Sequence, residues 1–295
     1  MNTDAKIVFF GFGDVGYKCL KYMLENDCNV IAVFTHECDT HEKQWFESPE
    51  TIAKKWGIDV YKPKDINTKK WIRKIKNLKP DLILSLYYRM RIPEEIFTQA
   101  QLGAYNLHGS YLPSYRGRAP LNWAILNGEN YTGVSLHTLE KDFDTGDVID
   151  RRKIDFSDDE YVGDIQPRVS KTAVDMFADN LPKILSGNVE KIPQCEFEER
   201  ASYFGKRTPK DSRIDFSKKA NDIRNLIRAV SRPFNGAFFD VDNIRYTVWR
   251  ADIEKSDISI PEATIVECSQ KKLIFSAKDA LIVSTDFEIS NADNE

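Results

Sequence analysis

Apolar and polar residues recur along the first two-thirds of the chain in a repeating rhythm. An apolar run at 6–10 ends in Gly11-Phe-Gly-Asp-Val-Gly16, after which Val15, Leu20, Met23 and Leu24 stand at near-helical spacing. That order reads as strand, glycine turn, helix. Further strands are predicted at 30–34, 60 and 82–86, interleaved with helices at 49–56, 69–77 and 93–100, and one more strand delivers Asn106. Such alternation predicts an α/β fold with a mainly parallel sheet covered on both faces. Beyond residue 120 come a helix to 127 and two β-rich runs, 132–139 and 148–154, joined by the acidic turn 140–147. Ile165, Val169, Ala173, Met176, Phe177 and Ile184 then mark a helix packed on the sheet.

The pattern lapses into polar residues around 193–200, which places a domain boundary just after it: 1–203 and 204–295. The second part opens with a helix at 217–230, with Ser217 where an N-cap belongs and Ile223, Leu226, Ile227 and Val230 on one face. Short alternating runs at 237–240, 245–249, 263–266, 273–275 and 281–283 predict a small antiparallel barrel, and 291–295 a polar, unordered tail.

Composition narrows the function. Residue count allows one large and one small core, and a formal net charge of −4 argues against a partner held mainly through phosphates. No apolar run is long enough to cross a bilayer and no signal-peptide pattern opens the chain, so a cytoplasmic protein without a membrane partner is expected. Five cysteines, odd in number and widely spaced, suggest neither a disulfide framework nor a zinc motif. His36, Cys38 and His41 crowd one loop with Asp39 and Glu42, but their spacing matches no structural zinc pattern, and no metal is expected. Gly11, Gly13 and Gly16, with Glu37 some way beyond, formally complete a dinucleotide fingerprint. Tight helix packing in any doubly wound fold explains the same glycines, so a nicotinamide oxidoreductase is the weaker reading.

Chemistry concentrates in 105–123. Asn106, His108 and Ser110 are spaced to lie on one side of an extended backbone, at the end of a strand where open α/β sheets bind ligands. A Gly- and Pro-punctuated, Arg-bearing loop follows, 109–119, and Pro120 opens the next helix. If an amine takes up an activated acyl group, the site needs a proton carrier and a donor for the oxyanion. His108 and the Asn106 amide offer both, and Asp144 on the acidic turn is the candidate carboxylate to favour the protonated imidazole. A bland reading, a rim histidine and a turn-forming aspartate, explains each residue singly.

Taken together, Asn106-Leu-His108-Gly-Ser-Tyr-Leu-Pro113, Arg116-Gly-Arg118-Ala-Pro, Thr132-Gly-Val-Ser-Leu-His137 and Asp144-Thr-Gly146 resemble the 10-formyltetrahydrofolate-dependent formyltransferases in order and spacing. The resemblance runs from Lys6 to about Val283 and implies a Rossmann-like domain followed by an OB-like β-barrel subdomain. It implies that Asn106, His108 and Asp144 are catalytic, and that the folate formyl donor is held around Met90, Arg91 and Ile92, on Arg118, and on Glu140, Lys141, Asp142 and Phe143. It further implies direct attack of the amine on the formyl carbon, with neither a covalent enzyme intermediate nor a nucleotide on the glycine turn.

Ser85-Leu-Tyr-Tyr-Arg89, Arg118-Ala-Pro-Leu-Asn-Trp123, Phe204-Gly-Lys-Arg-Thr-Pro209 and Tyr246-Thr-Val-Trp249 look like the enzymes that formylate an amino sugar on a nucleotide. They are similar above all to the formyltransferase half of the bifunctional enzyme acting on UDP-4-amino-4-deoxy-L-arabinose. That enzyme continues into a decarboxylase domain, whereas this sequence stops at Glu295, so a stand-alone enzyme is expected. The preferred acceptor is dTDP-4-amino-4,6-dideoxyglucose, for O-antigen or lipopolysaccharide synthesis. The UDP-arabinose amine comes next, then methionyl-tRNA, and a non-catalytic folate-binding protein is the reading from another class. The second domain sets Asp240, Asp242, Asp252, Glu254 and Asp257 against Lys206, Arg207, Arg245 and Arg250, a balance that suits a sugar nucleotide better than a polyanion. Lys206 and Arg207 are candidates for the diphosphate, and Tyr111 or Trp123 for stacking on sugar or base. A homodimer is expected by resemblance.

Overall fold

The computed structural model describes residues 4–38, 44–255 and 260–292. Its first compact unit is built mainly from residues 1–120, 132–154 and 167–205. In chain order its strands and helices are β1 Ile7–Gly11, α1 Gly13–Glu25, β2 Val30–Phe34, α2 Pro49–Lys55, β3 Val60–Tyr61, α3 Lys69–Leu78, β4 Leu82–Leu86, α4 Glu94–Phe97, β5 Ala104–His108 and β6 Arg116–Gly117. Past α5 Pro120–Leu126, which belongs almost wholly to the second unit, follow β7 Tyr131–Thr138, β8 Val148–Asp155, α6 Val162–Leu185, which enters the first unit at Pro167, and β9 Tyr203–Phe204.

Seven strands form one sheet in the order β3-β2-β1-β4-β5-β7-β8. β1 pairs in parallel with both β2 and β4, and β5 in parallel with β4, so the strand order reverses at β1 and β4. β1 and β4 are buried along their whole length, as expected for strands covered on both faces. Gly16 lets α1 lie close: a side chain there would meet the Gly11 backbone at 3.2 Å and the Leu86 carbonyl at 3.3 Å. Gly16 is thus accounted for by packing and Gly13 by its left-handed backbone (φ 69), and Glu37 pairs with Lys62 at 2.7 Å.

Differences from the sequence reading have local causes. α4 spans only Glu94–Phe97; the Thr98 hydroxyl and backbone N–H both donate to the Glu94 carbonyl just past its end. A parallel pair of two-residue strands, β6 with β9, was not anticipated.

The second unit comprises 121–131, 155–166 and 206–295. It contains α7 Ala220–Val230 and β10 Ala237–Val241, β11 Ile244–Glu254, β12 Ile265–Cys268, β13 Leu273–Ser276 and β14 Leu281–Asn291. The five strands form an antiparallel half-barrel in the order β10-β11-β14-β13-β12. α7 starts three residues later than expected: its first amide, on Ala220, donates to Asp279 at 2.7 Å, while the Ser217 hydroxyl is taken up by Asp215. β12 begins at Ile265 rather than 263, since Ala263 has left-handed backbone (φ 61). β14 runs on through Asn291, where a disordered tail was expected, and the Ala292 amide still donates to Asn243. Asp257 and residues 293–295 lie outside the described residues.

Arg228 of α7 is fully buried, donating from Nη2 to the Ser157 carbonyl and from Nε to the Glu160 carbonyl, each at 2.9 Å. Among the described residues no helix is long and apolar enough to cross a membrane.

Candidate active site

Period-two alternation along β5 carries Asn106 and His108 to one side of the sheet. The turn after β7 folds back over them, held at its far end by the Thr138 amide donating to Asp147 at 2.9 Å, and brings Asp144 against both. One carboxylate oxygen of Asp144 accepts from the Asn106 amide nitrogen at 3.1 Å. The other accepts the Gly117 backbone N–H at 2.8 Å and stands 3.5 Å from His108 Nδ1. The carboxylate is 9% exposed. Burial alone would raise its pKa, but the His108 and His137 imidazoles and the Gly117 N–H outweigh burial and hold the acid well below the usual carboxylate range.

The Asn106 amide is oriented from both ends. Its oxygen accepts from the Ser85 hydroxyl at 2.7 Å. Its nitrogen faces His137 Nε2 at 3.0 Å, and His137 Nδ1 donates to the Thr138 carbonyl at 2.7 Å. His108 Nε2 lies 2.9 Å from the Tyr115 carbonyl, and its Nδ1 faces the Asp144 carboxylate. The carboxylate of Asp144 thereby gathers the Asn106 amide, by a hydrogen bond, and the His108 imidazole, at 3.5 Å, into one group able to carry a proton and to offer an amide donor.

The loops around this group are held in costly backbone. Tyr87, Tyr115, Ala119 and Asp144 are left-handed at φ 61, 60, 51 and 55, a conformation costing roughly 1–2 kcal/mol for a residue with a side chain. Strain of this kind persists where surrounding contacts over-determine it. Tyr115 stacks on Phe204 (centroids 5.0 Å apart, 12°), and Arg116 and Arg118 donate their backbone N–H groups to Ser202 and Phe204. Gly117 (φ 98) admits no side chain, because a Cβ would collide with the Phe204 carbonyl.

Ser110, expected beside Asn106 and His108, is not there. β5 ends at His108, and the buried Ser110 hydroxyl instead donates to the Ser114 carbonyl at 2.7 Å, tightening the loop. Three contributors were not assigned a role from sequence: Ser85, His137 and Gln194. Ser85 is the lone polar residue within the apolar strand 82–86, and His137 has the inward parity of β7, opposite Asn106. Gln194 carried no such signal.

Of the other candidates, Met90 is half-buried on the core cluster, Ile92 is buried and Arg91 is exposed, while Arg118 donates to the Arg89 carbonyl at 3.0 Å. Glu140, Lys141, Asp142 and Phe143 are exposed, the Phe143 ring included. Tyr111 packs beneath the Arg151 guanidinium, 4.2 Å from its ring centre. In the second unit, the Arg207 guanidinium stands 5.0 Å from the ring centre of Trp123 and donates to the Asp211 carbonyl, and Lys206 is exposed. His36 accepts from the Arg89 N–H and stacks on Tyr88, while Asp39, His41 and Glu42 lie outside the described residues. No cluster of metal-ligating residues occurs among the described residues.

Solved structures share this fold. WlaRD, a sugar 3N-formyl transferase determined in the presence of dTDP and 5-N-formyl-THF, is 22% identical with a TM-score of 0.69, covering 95% of this chain and 97% of its own. The N-formyltransferase from Helicobacter canadensis, in complex with folinic acid and dTDP-3-aminofucose, is 20% identical with a TM-score of 0.66 over 95% of this chain and 99% of its own. Methionyl-tRNA formyltransferase from Clostridium thermocellum is 22% identical with a TM-score of 0.60 over 97% and 98%. Residues 5–181 match the formyl transferase family and residues 206–292 its C-terminal domain. The chain belongs to the formyl transferase family.

Proposed function

We propose that the protein transfers a formyl group from 10-formyltetrahydrofolate to the amino group of a nucleotide-linked amino sugar. The observation that carries this reading is the convergence of Asn106 and His108, at the end of β5, on the Asp144 carboxylate in a chain of this family. The surroundings suit the donor: half-buried Met90 and buried Ile92 offer apolar contact to a flat ring, and exposed Arg91 and Lys141 offer cations to an anionic tail. Bound there, 10-formyltetrahydrofolate supplies an activated one-carbon acyl group.

In this reading the neutral His108 ring, its Nδ1–H directed at Asp144, gives up its contact with the Tyr115 carbonyl, takes at Nε2 the proton that the attacking amine releases, and returns it to the departing nitrogen. Asp144 stabilises the imidazolium by charge and fixes the ring through Nδ1. Asn106 exchanges its hydrogen bond to His137 for one to the developing oxyanion, while Ser85 holds the amide the right way round. No side chain of the set serves as a nucleophile, consistent with direct transfer.

For the acceptor we infer dTDP-4-amino-4,6-dideoxyglucose, made for O-antigen or lipopolysaccharide. One dTDP-associated neighbour is a sugar 3N-formyl transferase and the other was solved with dTDP-3-aminofucose, so the position of the amine separates the substrates. Arg207 and Lys206 are proposed to meet the diphosphate and Trp123 or Tyr111 the base or sugar. A homodimer, and domains dividing at 203 and 204, belong to the same proposal. Incubation with 10-formyltetrahydrofolate and the 3-amino and 4-amino dTDP sugars, with NMR of the product, tests it. Formyl on the 4-amino nitrogen supports the assignment; formyl on the 3-amino sugar alone overturns that position, and no formylated sugar overturns the reading.

A further inference from the structure

We propose that Gln194 is a positioning residue for this reaction: it locks the backbone of Asp144 to the strand that supplies the carboxylate's Gly117 donor. The inference rests on the reading above for what the carboxylate does, and on the following geometry for what Gln194 does. Gln194 lies in a short 3₁₀ turn, 7% exposed, just after residue 192 pairs with Val148 at the start of β8 through two backbone hydrogen bonds of 2.8 and 2.9 Å. Its amide nitrogen donates to the Asp144 carbonyl and to the Gly146 carbonyl, both at 2.8 Å. Its amide oxygen accepts from Arg116 Nε at 3.1 Å and from Nη2 at 2.6 Å. Two hydrogens and two lone pairs are all that a glutamine side chain has, so every one is used and the amide can be placed only one way round.

These four bonds join the two halves of the site that the fold otherwise brings together from separate stretches of chain. On one side is the turn 144–146, whose first residue is held left-handed and whose Gly146 lies flush on β7, a Cβ there colliding with the Thr138 carbonyl. On the other is β6, whose Gly117 N–H donates to the Asp144 carboxylate. Gln194 grips the backbone of the first and the side chain of Arg116 in the second. Moving either half swings the carboxylate away from His108, and misplacement of a catalytic group by about 1 Å costs on the order of 10²-fold in rate. No other residue type supplies both a two-hydrogen donor and a two-lone-pair acceptor at this reach: glutamate keeps the Arg116 partner and sets a carboxylate against two carbonyls, and asparagine is one methylene short.

The test uses the full-length enzyme carrying Gln194→Ala, Gln194→Glu and the isosteric Gln194→Met, each also combined with Asp144→Asn. In the wild-type background kcat is expected to fall on the order of 10- to 100-fold with KM for 10-formyltetrahydrofolate unchanged within about twofold. In the Asp144→Asn background the same substitutions are expected to lower kcat no further, because the group they position is already gone. Wild-type-like turnover in all three single variants, or an undiminished effect in the Asp144→Asn background, overturns the proposal. Crystal structures of the wild type and of whichever variant folds give a readout free of turnover: loss of the Gly117 N–H to Asp144 contact supports the positioning role, and its retention overturns it. An enzyme that formylates no amine at all contradicts the functional reading, and this structural comparison still decides the role of Gln194.

Discussion

Asn106 and Asp144, 38 positions apart in sequence, meet through a 3.1 Å hydrogen bond from amide nitrogen to carboxylate oxygen. The contact makes the acid an orienter of the amide as well as the counter-charge of His108. Replacing Asn106 or His108 by alanine is therefore expected to lower kcat by roughly 10²–10⁴-fold with little change in folate affinity. Steady-state turnover beside a folate-binding titration checks this, and near-normal turnover in either variant would remove that residue from the catalytic set.

Asp144→Asn separates charge from shape. Removing the negative charge beside His108 is expected to lower the pKa that governs the rate, so the pH profile of kcat shifts toward acid. A profile unchanged in position counts against the His108–Asp144 pairing.

The same carboxyl couples to stability. Its folded pKa lies below the unfolded value of about 3.9, so the stability it contributes is fully present above that pH and is lost as pH falls toward the folded pKa. Denaturant unfolding at pH 7 and pH 3 is expected to show a smaller acid-induced loss for Asp144→Asn than for the wild type. Equal losses would mean that the carboxylate gains nothing from its partners on folding.

Ser85→Ala tests the orientation of the amide. The hydroxyl at 2.7 Å is the hydrogen bond holding the Asn106 oxygen away from the acid, and its loss is expected to lower kcat by up to about tenfold while KM stays put. An equal change in KM would point to a general loosening of the sheet.

In the second unit, Arg228→Met leaves the Ser157 and Glu160 carbonyls without their donor. A loss on the order of 2–4 kcal/mol in unfolding free energy is expected. Thermal or denaturant unfolding of the variant measures it, and a loss within 0.5 kcal/mol, about the surface-substitution range, would show that water replaces the guanidinium.

Much of this was legible in the sequence because the signals were local. Buried apolar runs bounded by turns located 30–34 and 82–86 as they stand in the structure, and the alternation in 104–108 put Asn106 and His108 on one side. Asp144 was reached through the motif Asp144-Thr-Gly146, whose glycine is required by close approach to β7. What escaped depends on distant pairing. β6 and β9 are two residues each, too short for any periodicity, and exist because the backbones of 116–118 and 202–204 satisfy one another. Ser110 obeyed the alternation on paper, but the strand ended before reaching it. Asp279, not Ser217, caps α7 because the fold brings a loop 59 positions away to its first amide.

The most direct test of the central claim is the rate of tetrahydrofolate release from 10-formyltetrahydrofolate, measured side by side with dTDP-4-amino-4,6-dideoxyglucose, UDP-4-amino-4-deoxy-L-arabinose and methionyl-tRNA, with His108→Ala as control. The expected result is fast turnover with a sugar nucleotide, abolished in the His108→Ala enzyme and absent with the charged tRNA. Turnover with methionyl-tRNA alone, or sugar turnover that survives loss of the imidazole, would contradict the account.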